Sequence, residues 1–437
     1  MEGTPTRRRM SRRSFLQGAA VALGSTALSA CTGWSTQGVV QPGPGQVVIN
    51  AWFWDDSLQT AIDAFHQKQD HIRVNFTKTG YDYVHNQLLT SLVAGTGAPD
   101  VSAIEIGFVS SFVGRGGLLD LSTRFGADQF KNDIVAYKWI QGSTTDGRLY
   151  CMPWDIGPTG FWYRADIFES AGLETDPTKL QAQIKTWEDW FKLGETLAAK
   201  KPSTRLIANA YQQDLFLTTV EQKGHGWFDG NRVLAVEKGT PALQRAAEAR
   251  RRGIDADIPW FSAEFDAGVK KDAFAAMNVA CWMQSGLMRD QPQSSGKWRV
   301  IHVPEGDLNQ GGSFLTMPAQ TKLPNDAWEF MRFVCCSAEG QNAIFKKGGI
   351  FPAYKPAWQD PAYDEPVPFF GGQHTYRLWA DIADKVPASP VSPYDRQAND
   401  IINNEVTKAQ KLGKDPVQAM QDAQTTILRR VPADLTA

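Results

Sequence analysis

Between residues 47 and 106 the hydrophobic period switches back and forth, and that switching constrains the fold more than any other feature of the chain. Residues 47–52 form an apolar, β-branched run suited to a buried strand. Leu58, Ala61, Ile62 and Phe65 then recur at helical spacing, whereas Ile72, Val74 and Phe76 alternate as a strand does. Val84, Leu88 and Leu92 return to the helical period, and residues 101–106 read as another strand. Such alternation predicts βα units around a mostly parallel sheet. Thr186, with Asp189 three positions on, opens a helix carrying Trp187, Trp190, Phe191 and Leu197 with a capping-box start. Ala327, Phe330, Met331 and Val334 predict one amphipathic helix, and Val417, Met420, Ile427, Leu428 and Val431 another. Residues 352–393, rich in Pro and aromatics, read as loops and short helices.

The 437 residues allow two or three domains, each able to bury a core. With 42% hydrophobic and 21% charged residues the chain is not disordered. The net charge of −2 supplies no basic excess for phosphates, so no nucleic-acid partner is expected. That total hides an asymmetry, because residues 1–30 carry five arginines against the single acid Glu2. Arg12-Arg13 precedes a soft apolar run over residues 18–30, the pattern of a twin-arginine export signal. The run ends in Leu28-Ser29-Ala30-Cys31, similar to a bacterial lipobox in which Cys31 is lipidated and becomes the mature N-terminus. Residues 31–46, rich in Gly, Ser, Thr, Gln and Pro, read as a flexible tether. The expected location is therefore extracytoplasmic, on the outer face of the bacterial cytoplasmic membrane.

Familiar catalytic signatures are missing. His66, His71, His85, His225, His302 and His374 show no metal-type spacing, and there is neither a GxSxG elbow nor a phosphate loop. No metal and no cofactor are expected. Five Cys in this length make no disulfide framework, and a Cys151–Cys281 pair stays open. Carboxylate pairs for glycoside hydrolysis are defined by geometry, which leaves an exported hydrolase as a rival reading.

Several segments, in order, resemble the extracellular solute-binding proteins that feed carbohydrate importers of the ABC type. They include Ala94-Gly95-Thr96-Gly97-Ala98-Pro99-Asp100-Val101, Gly117-Leu118-Leu119-Asp120-Leu121 and Gly147-Arg148-Leu149-Tyr150-Cys151-Met152-Pro153-Trp154-Asp155. Tyr163-Arg164-Ala165-Asp166, Thr186-Trp187, Ala276-Met277 with Trp282, Gly311-Gly312 and residues 348–352 continue the series. Cys151 and Arg164 depart from the residues usual at their places. The resemblance implies a two-lobed, type II periplasmic-binding-protein-like α/β fold, each lobe a mixed, mostly parallel sheet flanked by helices, with ligand in the cleft between. It implies a first lobe of residues 47–155 plus 312–355 and a second of 156–311 plus 356–437. The chain would cross near residues 155–158, 311–312 and after Tyr354. Expected partners are a carbohydrate, with an oligosaccharide the expected form, ABC permease subunits and, through Cys31, the membrane; the protein would be a monomer and no enzyme. A different small polar solute, such as a glycerophosphodiester, is the alternative cargo.

A sugar needs in-plane hydrogen-bond partners and flat rings for its faces. Loops at the carboxyl ends of strands are the natural place for both. Trp54 and Asp55 directly follow the first strand, with a core ring and a helix cap as the alternative reading. Glu105, an acid among apolar neighbours at a strand end, is hard to explain as core. Trp154 and Asp155 at the first crossover and Gly312 at the second would reach ligand from the floor. Trp227 and Trp282 are the expected stacking platforms of the second lobe, and Tyr394 a further ring.

Overall fold

The computed structural model describes residues 35–36 and 41–431. The signal-peptide reading of residues 1–30 and the lipidation of Cys31 lie outside the described residues. Two sheets carry the molecule. The first runs in the order β1 (Ser35–Thr36), β3 (Ile72–Lys78), β2 (Val47–Phe53), β4 (Val101–Glu105), β13 (Ser313–Thr316) and β5 (Cys151–Pro153). The second is centred on β7 (Pro158–Arg164), flanked by β10 (Ala276–Ala280) and β11 (Trp298–Ile301), with β12 (Leu308–Asn309) also paired to β7. This is the expected two-lobed α/β architecture, but the strand directions correct the expectation. Among the described residues, parallel pairing in the sheets is confined to β2–β3 and β2–β4, and every partner of β7 is antiparallel. The reason is the crossovers. A strand returning from the other lobe, such as β13, enters its sheet from the opposite end and so opposes β4 and β5.

The expected elements follow their patterns. The helix Ser57–Lys68 buries Leu58, Ala61, Ile62 and Phe65, where Phe65 packs edge-on against Phe330 of the helix Pro324–Cys336. Burying such a side chain contributes roughly 1.5–3 kcal/mol. The helix Trp187–Lys200 begins with the complete Thr186–Asp189 capping box. Part of the stretch read as a flexible tether is held in place instead: β1 pairs with β3, and Gln46 Nε2 donates to Asp70 O at 2.7 Å. Cys151, Cys281, Cys335 and Cys336 are all free and buried, which settles the open Cys151–Cys281 question in favour of two thiols.

The chain passes between the sheets three times, and the passages are packed against one another. The first includes β6 (Asp155–Ile156), which pairs with β14 (Phe351–Pro352) of the third. A Cβ placed on Gly157 would lie 2.0 Å from the carbonyl oxygen of Gln310, so only glycine lets the first and second passages touch. Asn309 ties them: its Oδ1 accepts from Gly157 N at 2.7 Å and from the Tyr137 hydroxyl at 3.0 Å.

Candidate functional site

At the carboxyl end of the first sheet, the strand ends and the helix Tyr81–Ala94 converge on Glu105. The Tyr81 hydroxyl donates to Glu105 Oε2 at 2.8 Å and Gly107 N donates to the same oxygen at 2.7 Å. Burial raises the pKa of the carboxyl, while these two donors pull it back down. The backbone N–H of Glu105 donates to His85 Nε2 at 2.9 Å, so the ring proton sits on Nδ1, 2.7 Å from Tyr81 O. Burial pushes His85 down to about 4, consistent with a neutral, accepting imidazole. His85 lies between Phe108, stacked at 3.9 Å, and Trp54, stacked at 5.3 Å. Every member of this wall is therefore fixed by at least one neighbour.

The second lobe offers Trp282 across the passage. Its Nε1 donates to Gln310 O at 3.0 Å. A Cβ on Gly311 would lie 3.3 Å from that nitrogen and 3.8 Å from Glu105 Oε1, so ring and carboxylate converge on one point beside this glycine. Gly311 and Gly312 have φ of 88° and 91°, the left-handed region where other residues are strained. Nearby in the second lobe, Glu221 lies 3.0 Å from His225 Nδ1. Burial opposes protonation of His225, yet Glu221 and Asp395 outweigh it and its pKa rises.

Beneath the passage lies Lys138, fully buried, its ammonium 4.0 Å above the Phe314 ring and 3.5 Å from Gly311 O. Burial lowers its pKa to about 8 against the opposing pull of Asp155 and Glu105. At the mouth the lobes touch reciprocally. Arg115 of the first lobe lies over the Tyr394 ring at 5.5 Å and donates to Pro393 O. Arg396 of the second lies over the Phe108 ring at 4.0 Å.

The candidate residues separate into groups. Trp54, Glu105, Trp282 and Tyr394 are half-buried and lie where the lobes meet. Asp55 accepts from Ser57 N at 2.8 Å, the helix-start contact given as its alternative reading. Four expectations need correction. Gly312 is buried between the passages, where a Cβ would lie 2.6 Å from Asp155 O and 2.9 Å from Lys138 Nζ, so it packs the backbone and does not face a ligand. Trp154 is only 1% exposed, with its ring edge-on to Phe53 at 4.7 Å, so it offers no face to a ligand. Asp155 is buried and accepts from Ser313 N at 2.7 Å, which makes it a brace between passages. Trp227 is buried among the second-lobe helices, with Lys238 over its ring and its indole N–H given to Asn399. These three sit at or beside loop positions, where sequence cannot tell a ring facing inward from one facing out. Tyr81, His85, Phe108, Lys138 and Arg396 escaped sequence reasoning. For Tyr81 and His85 a signal existed, since they lie four apart at the start of the helix that follows a strand.

Residues 60–370 match the family described as bacterial extracellular solute-binding protein. The chain belongs to that family. This solute-binding protein is 25% identical to the lactose-binding protein of Rhizobium radiobacter, over 79% of the chain and 83% of the relative. It is likewise 25% identical to the arabinooligosaccharide-binding protein of Bacillus subtilis (strain 168), covering 80% and 84%. Its fold is shared with a crystal structure of an extracellular solute-binding protein family 1 member, at a TM-score of 0.79 and 23% identity, covering 88% of this chain and 99% of the other. The solute-binding protein thus brings the Glu105 carboxylate of one lobe and the Trp282 indole of the other to the same point beside Gly311.

Proposed function

We propose that this protein is a lipid-anchored, extracytoplasmic receptor of an ABC importer that captures a carbohydrate between its lobes and delivers it to the permease. The observation that carries the reading is that Glu105 and Trp282, from different lobes, approach the same point beside Gly311. A carboxylate takes ring hydroxyls in plane while an indole covers a sugar face. The lactose- and arabinooligosaccharide-binding relatives support the same chemistry. The lobes comprise residues 47–155 plus 312–355 and 156–311 plus 356–437. Capture works by closure, because a ligand touching both lobes favours the closed form by its differential affinity. Export uses Arg12-Arg13, and Cys31 carries the lipid. The protein binds its sugar without cleaving it.

Calorimetric titration with lactose and with arabinooligosaccharides, alongside chromatography of the sugars afterwards, tests this. Saturable binding and intact sugar are expected. Bound ligand at 100 times its dissociation constant adds about 2.7 kcal/mol, so melting rises with it. No heat and no melting shift with any sugar, or release of cleaved product, would overturn the reading.

A further inference from the structure

The helix Asp395–Leu412 buries Ala398, Ile401 and Ile402 in the core of the second lobe, yet the residues at its start reach into the first. Val391 packs in the first-lobe cluster that holds Leu88, Ile104 and Phe108. Pro393 O accepts from Arg115, and Arg396 donates to Gly107 O at 3.4 Å while lying over the Phe108 ring. Asp395, set between these contacts, turns back. Its Oδ1 accepts from Trp227 N and its Oδ2 from Ser392 N, both at 2.6 Å, and a Cβ on Gly226 would lie 2.8 Å from Oδ2. One buried carboxylate thus ties the strap of residues 391–396 to the second-lobe loop 224–227.

That loop gathers a set of charges. Lys238 Nζ, itself buried, donates to Gly224 O and, at 2.6 Å, to Gly226 O. His225 Nδ1 lies 3.0 Å and 3.2 Å from the two oxygens of Glu221. Asp395 faces both cations, His225 and Lys238. With His225 charged, two cations meet two carboxylates. With it neutral, Lys238 stands against both Glu221 and Asp395, a poor balance for groups withdrawn from water. The first lobe adds Glu105, which feels His225 across the gap and Lys138 from its own side. Lys138 is shared with Asp155 and Glu221, and Arg396 acts on Tyr81 and His85. Closing the lobes therefore brings a third carboxylate toward the cluster, and charged His225 is the second-lobe cation that meets it.

We propose that His225 is a proton-operated control on lobe closure: charged, it holds the strap and Glu105 together across the gap, and without its proton the lobes part more readily. Glu221 and Asp395 raise the pKa of His225 against the effect of burial. The closing pull is therefore fully present below the ordinary value of 6.5 and is lost as pH rises through the raised one. A receptor so built keeps its lobes together more firmly in acidic surroundings than in alkaline ones. Cargo plays no part in this, so the inference goes beyond the carbohydrate reading and stands without it.

The test measures the distance between the lobes in the sugar-free protein. Spin labels are placed at Val93→Cys in the first lobe and Leu412→Cys in the second, positions 83% and 78% exposed, in a Cys31→Ala background. Electron–electron resonance then gives the distance distribution at about pH 6 and about pH 9, either side of the expected transition. The longer-distance population should rise roughly fivefold from the lower pH to the higher. His225→Gln should give the alkaline distribution at both values, with its circular dichroism intact. Glu105→Gln, which keeps His225 and removes the carboxylate facing it, should lose most of the response and carries the test should His225→Gln fail to fold. Identical distributions at the two pH values in the labelled parent would overturn the inference. So would a response that survives in His225→Gln, since it would belong to another group such as Lys138. With no sugar present, either failure leaves the carbohydrate reading untouched.

Discussion

The two sides of the interlobe gap are built on different terms. On the first lobe, Trp54, Tyr81, His85, Glu105 and Phe108 brace one another by stacking and hydrogen bonds, and all sit on strand ends or at helix starts. On the second, Trp282 is held by a bond to Gln310 and stacks against Phe261, which sits in a strained turn. The first wall is a rigid template, because moving any member breaks a contact of another. The second is a single ring pair with no hydrogen bond between its members. Substitutions should therefore be coupled through hydrogen bonds and stacking in the first wall, and through one stacking contact alone in the second.

The harshest way to break that comparison is to mistake interior for wall. Trp154→Ala should cost about 3–5 kcal/mol of stability, since the ring is enclosed, and Trp227→Ala should behave alike. Thermal melting that barely moved for Trp154→Ala would return this ring to the cleft. Acid titration comes next. The folded pKa of His85, about 4, lies below its ordinary value of 6.5. Its contribution is thus fully present above pH 6.5 and is lost as pH falls toward 4, by on the order of 3 kcal/mol. Measured as wild type minus His85→Gln in denaturant unfolding, a flat difference across that window would show the imidazole is not held neutral. Trp282→Ala should then weaken sugar binding by about 2 kcal/mol or more, roughly thirtyfold, with little change in melting. A large melting loss with unchanged affinity would place Trp282 in the interior. Tyr81→Phe, the mildest, removes one hydrogen bond to Glu105 and should cost about 1 kcal/mol of affinity. Combined with Glu105→Gln it should cost less than the sum. Full additivity in titration of the double variant would contradict the rigid-template account.

The sequence made the elements legible where periodicity or capping chemistry decides. The Thr186–Asp189 box and the β2–Ser57–Lys68–β3 alternation appear as read. The place of Glu105 at a strand end was legible, but its capping of the helix Ile106–Val109 through Gly107 N was not. Strand direction was not, since hydrophobic patterning is the same for parallel and antiparallel neighbours and only the interlobe passages set it. Nor was the fate of Trp154, whose inward turn depends on Phe53, about a hundred residues earlier in the chain. Lys138 reads as an ordinary surface lysine; only the packing of Phe314 and Gly311 over it puts the charge inside. The turn at Phe261 is held by bonds from Trp260 to Gln212 and Asp214, tertiary facts with no local signature, whereas the Ser262 cap beside it is local.

The reciprocal arginine–ring contacts at the mouth, Arg115 with Tyr394 and Arg396 with Phe108, carry a kinetic consequence. They form between protein groups alone, so they favour the lobe arrangement that brings these groups together whether or not cargo is inside. A receptor latched in this way loses a captured molecule slowly, because departure waits for the latch. In the receptor proposed above, an empty molecule held shut would compete with a loaded one for the same transporter, so latch strength would set an exchange between retention and throughput. Weakening it by one cation–π contact, in Arg115→Gln, should speed sugar release in stopped-flow while leaving the encounter rate nearly unaltered.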